Sequence, residues 1–113
     1  MANTPEFLTL IECTPQLKDA VQNDLDSLSG ELLAANLISP DNDSHLRNQR
    51  VSAAIRAADL VAYVRTRVKL DPSKYHVFIE VLKRREADHK SILKILAEKY
   101  QTHTNCECGY MYL

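Results

Sequence analysis

Glycine is nearly missing from this chain, which has two glycines and no tryptophan among 113 residues. With abundant Leu, Ala, Lys and Glu, that scarcity favours helices over a turn-rich sheet. No segment approaches the roughly 20 uninterrupted apolar residues of a membrane span, and the N-terminus MANTPEFLTL lacks the basic region of a signal peptide. We therefore expect an all-α, soluble, cytoplasmic protein.

Cysteine is also scarce: there are three cysteines, an odd number, and two of them lie almost adjacent near the C-terminus. No disulfide framework follows from this pattern, so reduced thiols are expected. A chain of 113 residues with 45% hydrophobic content can build one small core. We predict a single domain over residues 1–100. Residues 101–113 show no apolar periodicity and are predicted to be a flexible tail.

Sequence patterns for catalysis are missing as well. The glycines are Gly30 and Gly109, so there is no glycine-rich phosphate loop, and neither an HExxH nor an EF-hand pattern occurs. His45, His76 and His89 have no partner at ligand spacing, and we expect them to be solvated. No nucleophile, base and orienting group fall at a recognisable spacing, so we predict no catalytic residues, no cofactor and no enzymatic activity.

Two short segments are compatible with metal binding or nucleic-acid binding. His103, Cys106 and Cys108 lie close together in the tail, but a zinc site usually needs four protein ligands, so no metal site is predicted. The basic run KRREADHK, residues 83–90, is interrupted by acidic residues, and the isoelectric point of about 6.4 argues against phosphate binding. A small helical nucleic-acid- or metal-binding protein remains the alternative prediction.

Apolar periodicity and proline positions predict six helices. Thr4 with Pro5 and Thr14 with Pro15 are both pairs of an N-cap and a first-turn proline, so we expect one first helix over about 5–24, kinked near Pro15. The other helices are expected over about residues 27–37, 40–48 and 51–69, from Pro72 through Leu82, and over about 87–100. Loops of only a few residues between them indicate an antiparallel bundle.

The fourth predicted helix has the best-defined apolar stripe, which falls within about 100° of the helical wheel. Its members are Ala57, Leu60, Val61, Val64 and Val68. The fifth helix has a similar stripe of Tyr75, Phe78, Ile79 and Leu82. We predict that the centre of the core contains Leu60, Val64, Phe78, Leu82 and Leu96.

The net charge of −1 conceals a polarised distribution. Residues 1–45 carry eight Asp or Glu against one Lys, a net charge of −7, whereas residues 46–113 carry thirteen Lys or Arg against seven Asp or Glu, a net charge of +6. If the two halves present different surfaces, the acidic surface of one molecule can attract the basic surface of another.

Two segments, LLAANLISPDNDSHLRN and RAADLVAYVRTRVKLDPSKYHVFIEVL, resemble a caspase-recruitment domain of the death-fold superfamily. The likeness covers about residues 6–100 and leaves out the tail. Its elements are Leu37-Ile38-Ser39, Leu46-Arg47-Asn48, Arg56-Ala57-Ala58, and Asp71-Pro72 before Tyr75 and Phe78. The resemblance implies a six-helix antiparallel Greek-key bundle with a kinked first helix. It also implies a domain that catalyses no reaction and binds other domains of its class.

The resemblance also implies contact between a basic face, from the first and fourth helices, and an acidic face from the second and third. Arg56 and Arg67 are eleven residues apart, which places them within about 20° of each other on a helix. We predict that they form a basic ridge to which Lys18 adds, with Arg65 and Lys69 on the opposite flank. The acidic face is assigned to Asp26, Glu31, Asp41 and Asp43.

The function implied by this resemblance is that of an adaptor or recruitment domain in apoptotic or innate-immune signalling. Its expected partners are other caspase-recruitment domains, including further copies of itself, and neither nucleic acid nor a membrane. Because the two predicted faces differ, the contact between them is heterologous and can extend into filaments unless the rotation closes.

Overall fold

The computed structural model describes the backbone of residues 4–112 and the side chains of residues 4–85 and 89–104. Within that range the chain forms seven helices and no strand, so the all-α prediction is confirmed. The helices are α1 Pro5–Glu12, α2 Thr14–Val21, α3 Leu25–Ala34, α4 Pro40–Leu46, α5 Ala53–Leu70, α6 Lys74–Lys83 and α7 Glu86–Tyr112. None of these helices is long and apolar enough to cross a lipid bilayer.

Seven helices are found where six were predicted because the first predicted helix is divided. Thr4 caps α1 by accepting the backbone N–H of Phe7, and the helix ends at Cys13, where ψ is 5°. α2 then begins with Pro15 in its first turn. Proline has no N–H to continue the preceding hydrogen-bond ladder, which places the break just before it. The change of direction predicted near Pro15 is confirmed, but it divides the predicted single helix into two and is not a kink within one helix.

Local hydrogen bonds fix the connection between α3 and α4. Asn36 adopts a left-handed φ of 62°, which asparagine tolerates better than most residues. The N–H of Leu37 donates to the carbonyl of Leu32, closing the end of α3 in a Schellman arrangement. α4 then begins with a capping box between Ser39 and Asn42. These two devices turn the chain sharply, and α3 ends three residues earlier than predicted.

The core is centred on α5. Every member of its predicted stripe is buried, namely Ala57, Leu60, Val61, Val64 and Val68. The five residues predicted for the centre of the core are also buried in one cluster, namely Leu60, Val64, Phe78, Leu82 and Leu96. In α6, Ile79 is only partly buried and Val81 is fully buried. The prediction of the core is therefore confirmed, except that the apolar face of α6 is rotated toward Val81.

Helices that are distant in sequence pack against one another. α1 and α2 both contact α5 and α7, and α3 contacts α4, α5 and α6. α5 touches five other helices, from α1 to α4 and α6. The acidic N-terminal half is thus packed directly onto the basic C-terminal half.

The last helix differs from its prediction at both ends. Residue His89 has a non-helical backbone (φ −125°, ψ 19°), so α7 is kinked near its start. The helix also continues past Tyr100 to Tyr112, and the predicted end near residue 100 is wrong. The flexibility of residues 101–113 remains a prediction.

Candidate interaction surfaces

Arg56, predicted to lead an exposed basic ridge, is buried, with 7% of its surface exposed. Its Nε donates to the carbonyl of Val51 at 2.9 Å and its Nη1 donates to the carbonyl of Leu46 at 3.0 Å. Both carbonyls belong to the end of α4 and the link that follows. The guanidinium therefore holds the α4–α5 link in place, and its predicted exposure is wrong.

Of the other predicted members of the ridge, Arg67 belongs to α5 and Lys18 to α2. Arg67 lines a depression on the α4 side together with Asn42. The α2 side of α5 presents Arg65 instead, whose Nη1 donates to Thr14 Oγ1 at 3.3 Å. Two residues along a helix are about 200° apart, so Arg65 and Arg67 cannot share one side. The structure does not bring Lys18, Arg56 and Arg67 together.

A different basic surface adjoins α1 and α2. The Nζ of Lys69 lies 5.6 Å from the centroid of the Phe7 ring, a cation–π contact between α5 and α1. Arg65 contacts α2, and the half-buried Lys18 belongs to α2 itself. We call Lys18, Arg65 and Lys69 the basic surface. A helical wheel separates the residues on the two flanks of α5, but it does not show which flank faces the first helix.

Only part of the predicted acidic face is free. Asp26 and Asp41 are exposed. Asp43 accepts hydrogen bonds from Ser29 Oγ at 2.6 Å and from Arg47 Nε at 2.9 Å. The bond from Ser29, assisted by Arg47, lowers the pKa of Asp43 below its usual value. Asp43 therefore serves the contact between α3 and α4, and we define the acidic surface as Asp26 and Asp41.

Glu31, the remaining predicted acidic residue, belongs to an internal ionic cluster. Arg85, between α6 and α7, donates from Nη1 to Glu31 Oε2 at 3.1 Å. Arg85 also holds both carboxylate oxygens of Asp24, with Nη2 2.8 Å from Oδ1 and Nε bonded to Oδ2. The hydrogen bonds to Asp24 and then Glu31 raise the pKa of Arg85. Since the Glu31 side chain is 30% exposed and paired internally, its predicted availability on the surface is wrong.

His89 completes this cluster. The predicted solvated position of His89 is wrong, because the residue is 1% exposed. Its Nε2 lies 3.2 Å from Asp24 Oδ2, and its buried Nδ1 has no hydrogen-bond partner in the described part of the chain. Asp24 precedes α3, whereas Arg85 and His89 flank the start of α7. We call Asp24, Glu31, Arg85 and His89 the ionic clamp, because it fastens α3 to the α6–α7 connection.

A surface that includes the predicted acidic residue Asp41 lies where α4 meets α5. His45 Nε2 lies 2.6 Å from Asp59 Oδ2, and both side chains are about one-third exposed, at 34% and 38%. The ring of His45 meets that of Tyr63 edge to face, with centroids 6.4 Å apart. Asp41 precedes His45 by one helical turn, and Ile55, 56% exposed, precedes Asp59 by one turn. We call these five residues the α4–α5 stripe.

A groove lies between α6 and α7. It has a volume of about 580 Å³ and is lined by Lys83, Lys90, Ser91, Leu93 and Lys94. All three lysines are exposed, whereas Leu93 is partly buried and provides an apolar wall. Lys83 lies 3.6 Å from Glu80 in an exposed pair. We call this feature the lysine groove.

The predicted tail cluster falls largely outside the described side chains, since Cys106 and Cys108 do. In the remaining part of the chain no group of three His, Cys, Asp or Glu residues is arranged to hold a metal ion. His103 Nε2 is 3.1 Å from Glu12 Oε2, close enough for an ion pair but without the alignment of a hydrogen bond. This contact joins α7 to α1.

Comparison of the chain with protein-family models, with curated proteins and with solved structures finds no match. The resemblance to caspase-recruitment domains therefore remains a hypothesis.

Proposed function

We propose that this chain is a homotypic protein–protein interaction module of the caspase-recruitment type, acting as a cytoplasmic adaptor or recruitment domain in apoptotic or innate-immune signalling. In this proposal α1 and α2 are the two halves of a kinked first helix, and α3 to α7 are helices two to six of a Greek-key death fold. The packing of α1 on α7, α2 on α5 and α3 on α6 supports it. A simple up-and-down bundle would place mainly sequence neighbours side by side.

The functional proposal is supported by the separation of partly or fully exposed charges of opposite sign. The basic surface adjoins α1, α2 and α5, whereas Asp26 and Asp41 are exposed on α3 and α4. A contact between unlike surfaces leaves one free surface on each copy, so association continues into filaments unless the rotation closes. Such charges govern specificity and association rate more than affinity, because each exposed pair contributes only about 0–1 kcal/mol.

In this proposal the module performs no catalysis and binds no cofactor. Its partners are other domains of the same class, including further copies of itself. The basic surface uses Arg65 and Lys69 with Lys18, because Arg56 is buried and Arg67 lies on the α4 side. The acidic surface uses Asp26 and Asp41, since Glu31 and Asp43 are paired within the chain.

The proposal is tested by measuring self-association against concentration and salt, using light scattering and negative-stain electron microscopy. We expect assemblies that weaken as salt rises, because the Debye length falls from about 10 Å at 0.1 M to about 3 Å at 1 M. Lys18→Glu and Asp26→Lys should each weaken assembly, and mixing the two variants should restore it. Lys99→Glu and Glu98→Lys, at exposed positions of α7, are the matched controls.

A protein that stays monomeric under all these conditions and binds no caspase-recruitment domain would contradict the proposal. Binding to duplex DNA at near-physiological salt, or zinc retained after dialysis, would favour the nucleic-acid- or metal-binding alternative.

A further inference from the structure

We propose that the α4–α5 stripe of one copy docks into the lysine groove of a second copy. This inference rests on the proposed self-association. It adds a contact between α4–α5 of one molecule and α6–α7 of the next, in which Asp41 of the acidic surface also takes part.

The lysine groove calls for a partner that is both acidic and apolar. Lys90 and Lys94 are one helical turn apart on α7, so their side chains are neighbours, roughly 5–6 Å apart at Cβ. Neither lysine has an ion-pair partner among the described residues. Leu93 adds an apolar wall beside them. A free anion would interact only with the lysines of this groove. A protein surface with carboxylates around an aliphatic side chain would contact both the lysines and the apolar wall.

The α4–α5 stripe has that composition. Ile55 is 56% exposed, so its side chain is accessible to a partner. Asp59 follows it by one turn on the same face of α5, and Asp41 lies on the facing side of α4 through His45. The stripe thus presents one carboxylate, Asp59, one turn from the aliphatic side chain of Ile55, and a second, Asp41, beyond His45. Burial of Ile55 against Leu93 removes apolar surface from water on both copies.

The charges on the two surfaces also indicate which residues carry the contact. Lys83 is already close to Glu80, so Lys90 and Lys94 are the lysines available to a partner. Asp59 is shared with His45, whereas Asp41 has no partner among the described side chains. The stripe and the groove are different surfaces. In a docked pair, one copy therefore keeps a free groove and the other keeps a free stripe, so further copies can add by the same contact.

The experiment compares two variants with two matched controls by sedimentation velocity and light scattering. Lys90→Glu/Lys94→Glu reverses the groove, and Ile55→Ser removes the aliphatic side chain of the stripe. Each should weaken self-association at least tenfold. Arg50→Glu/Lys99→Glu changes the same charges at exposed positions elsewhere, and Leu70→Ser changes a 78% exposed side chain at the other end of α5. Both controls should associate like the wild type.

A mixture provides a sharper test. The Ile55→Ser copy keeps an intact groove, and the Lys90→Glu/Lys94→Glu copy keeps an intact stripe. Mixed in equal amounts, they should associate more strongly than either variant alone, because an intact stripe can then meet an intact groove while the acidic and basic surfaces are unchanged in both. Circular dichroism and thermal melts monitor folding, and Lys90→Gln/Lys94→Gln is the second groove variant if charge reversal disturbs α7.

The possible results separate this inference from the function on which it rests. If the groove and stripe variants associate like the wild type while Lys18→Glu and Asp26→Lys weaken assembly, the docking inference is wrong and the proposed function stands. A wild-type protein that never self-associates would overturn the docking inference, and it would contradict the proposed function as well if it also bound no caspase-recruitment domain. Loss of association in the groove and stripe variants, with both controls unaffected, supports the docking contact.

Discussion

Arg47 lies across Gly30: its Nη2 is 3.0 Å from the position that a Cβ atom on residue 30 would occupy. The same guanidinium donates from Nε to Asp43, which also accepts from Ser29, the residue just before Gly30. The missing side chain at residue 30 therefore gives Arg47 room to reach its carboxylate. This explains why a helix-weakening residue occurs in the middle of α3.

Gly30→Ala should stabilise the protein less than helix propensity alone predicts. Replacing a mid-helix glycine by alanine contributes about 1 kcal/mol when nothing else changes. Here the new methyl group displaces the end of Arg47, whose side chain is 46% exposed and can move into solvent. The full gain should appear only in the Arg47→Ala background. Urea unfolding of the wild type, the two single variants and the double variant measures the effect of Gly30→Ala with and without Arg47. Equal effects in both backgrounds would contradict the contact.

Arg85→Leu should lower the free energy of unfolding by about 1.5–3 kcal/mol, since it leaves Asp24 and Glu31 without their cationic donor. Arg85→Lys should lower it less, because lysine keeps the charge but cannot make the two-pronged contact with Asp24. Arg84→Leu is the matched control, because Arg84 is the exposed neighbour, and it should stay within about 0.5 kcal/mol of the wild type. Equal losses at residues 84 and 85 would mean that the ionic clamp is not stabilising.

Phe78→Ala should lower stability by about 3–5 kcal/mol, because Phe78 is 1% exposed at the centre of the core and its loss leaves a cavity. A loss of this size can unfold a small domain outright. Thermal melts followed by circular dichroism measure it, with the exposed Leu70→Ala as control. A midpoint that scarcely moves would show that Phe78 is not a core residue.

Ser29→Ala should destabilise the protein at neutral pH and progressively less in acid. Ser29 is the largest cause of the lowered pKa of Asp43. Because the carboxyl group has a lower pKa in the folded protein than in the unfolded one, its contribution is present above about pH 4 and is lost as pH falls through the lowered value. Melts of wild type and Ser29→Ala should differ at pH 7, and the difference should shrink as the pH is lowered step by step below about 4. A difference that stays constant would contradict this origin.

The sequence predicted the features that depend on local pattern. Proline positions gave the break between α1 and α2, and apolar periodicity gave the buried stripe of α5. The same pattern could not show that Arg56 is buried and Arg67 is not. A helical wheel places both residues on one side of α5, but it takes no account of the α4–α5 link, which covers only Arg56. The burial of His89 was missed for a similar reason, since its partner Asp24 is 65 residues away. Contacts between residues so far apart in the sequence produce no periodic pattern in it.

The ionic clamp has a consequence for the kinetics of folding. Asp24 and Arg85 are separated by 61 residues, so forming their contact requires closure of more than half of the chain. We expect that contact to be absent from the folding transition state, in which nearby helices pair first. Arg85→Lys should then leave the refolding rate almost unchanged and accelerate unfolding, which stopped-flow measurements across urea concentrations can detect. The clamp would in that case determine how long a folded molecule persists rather than how quickly it forms.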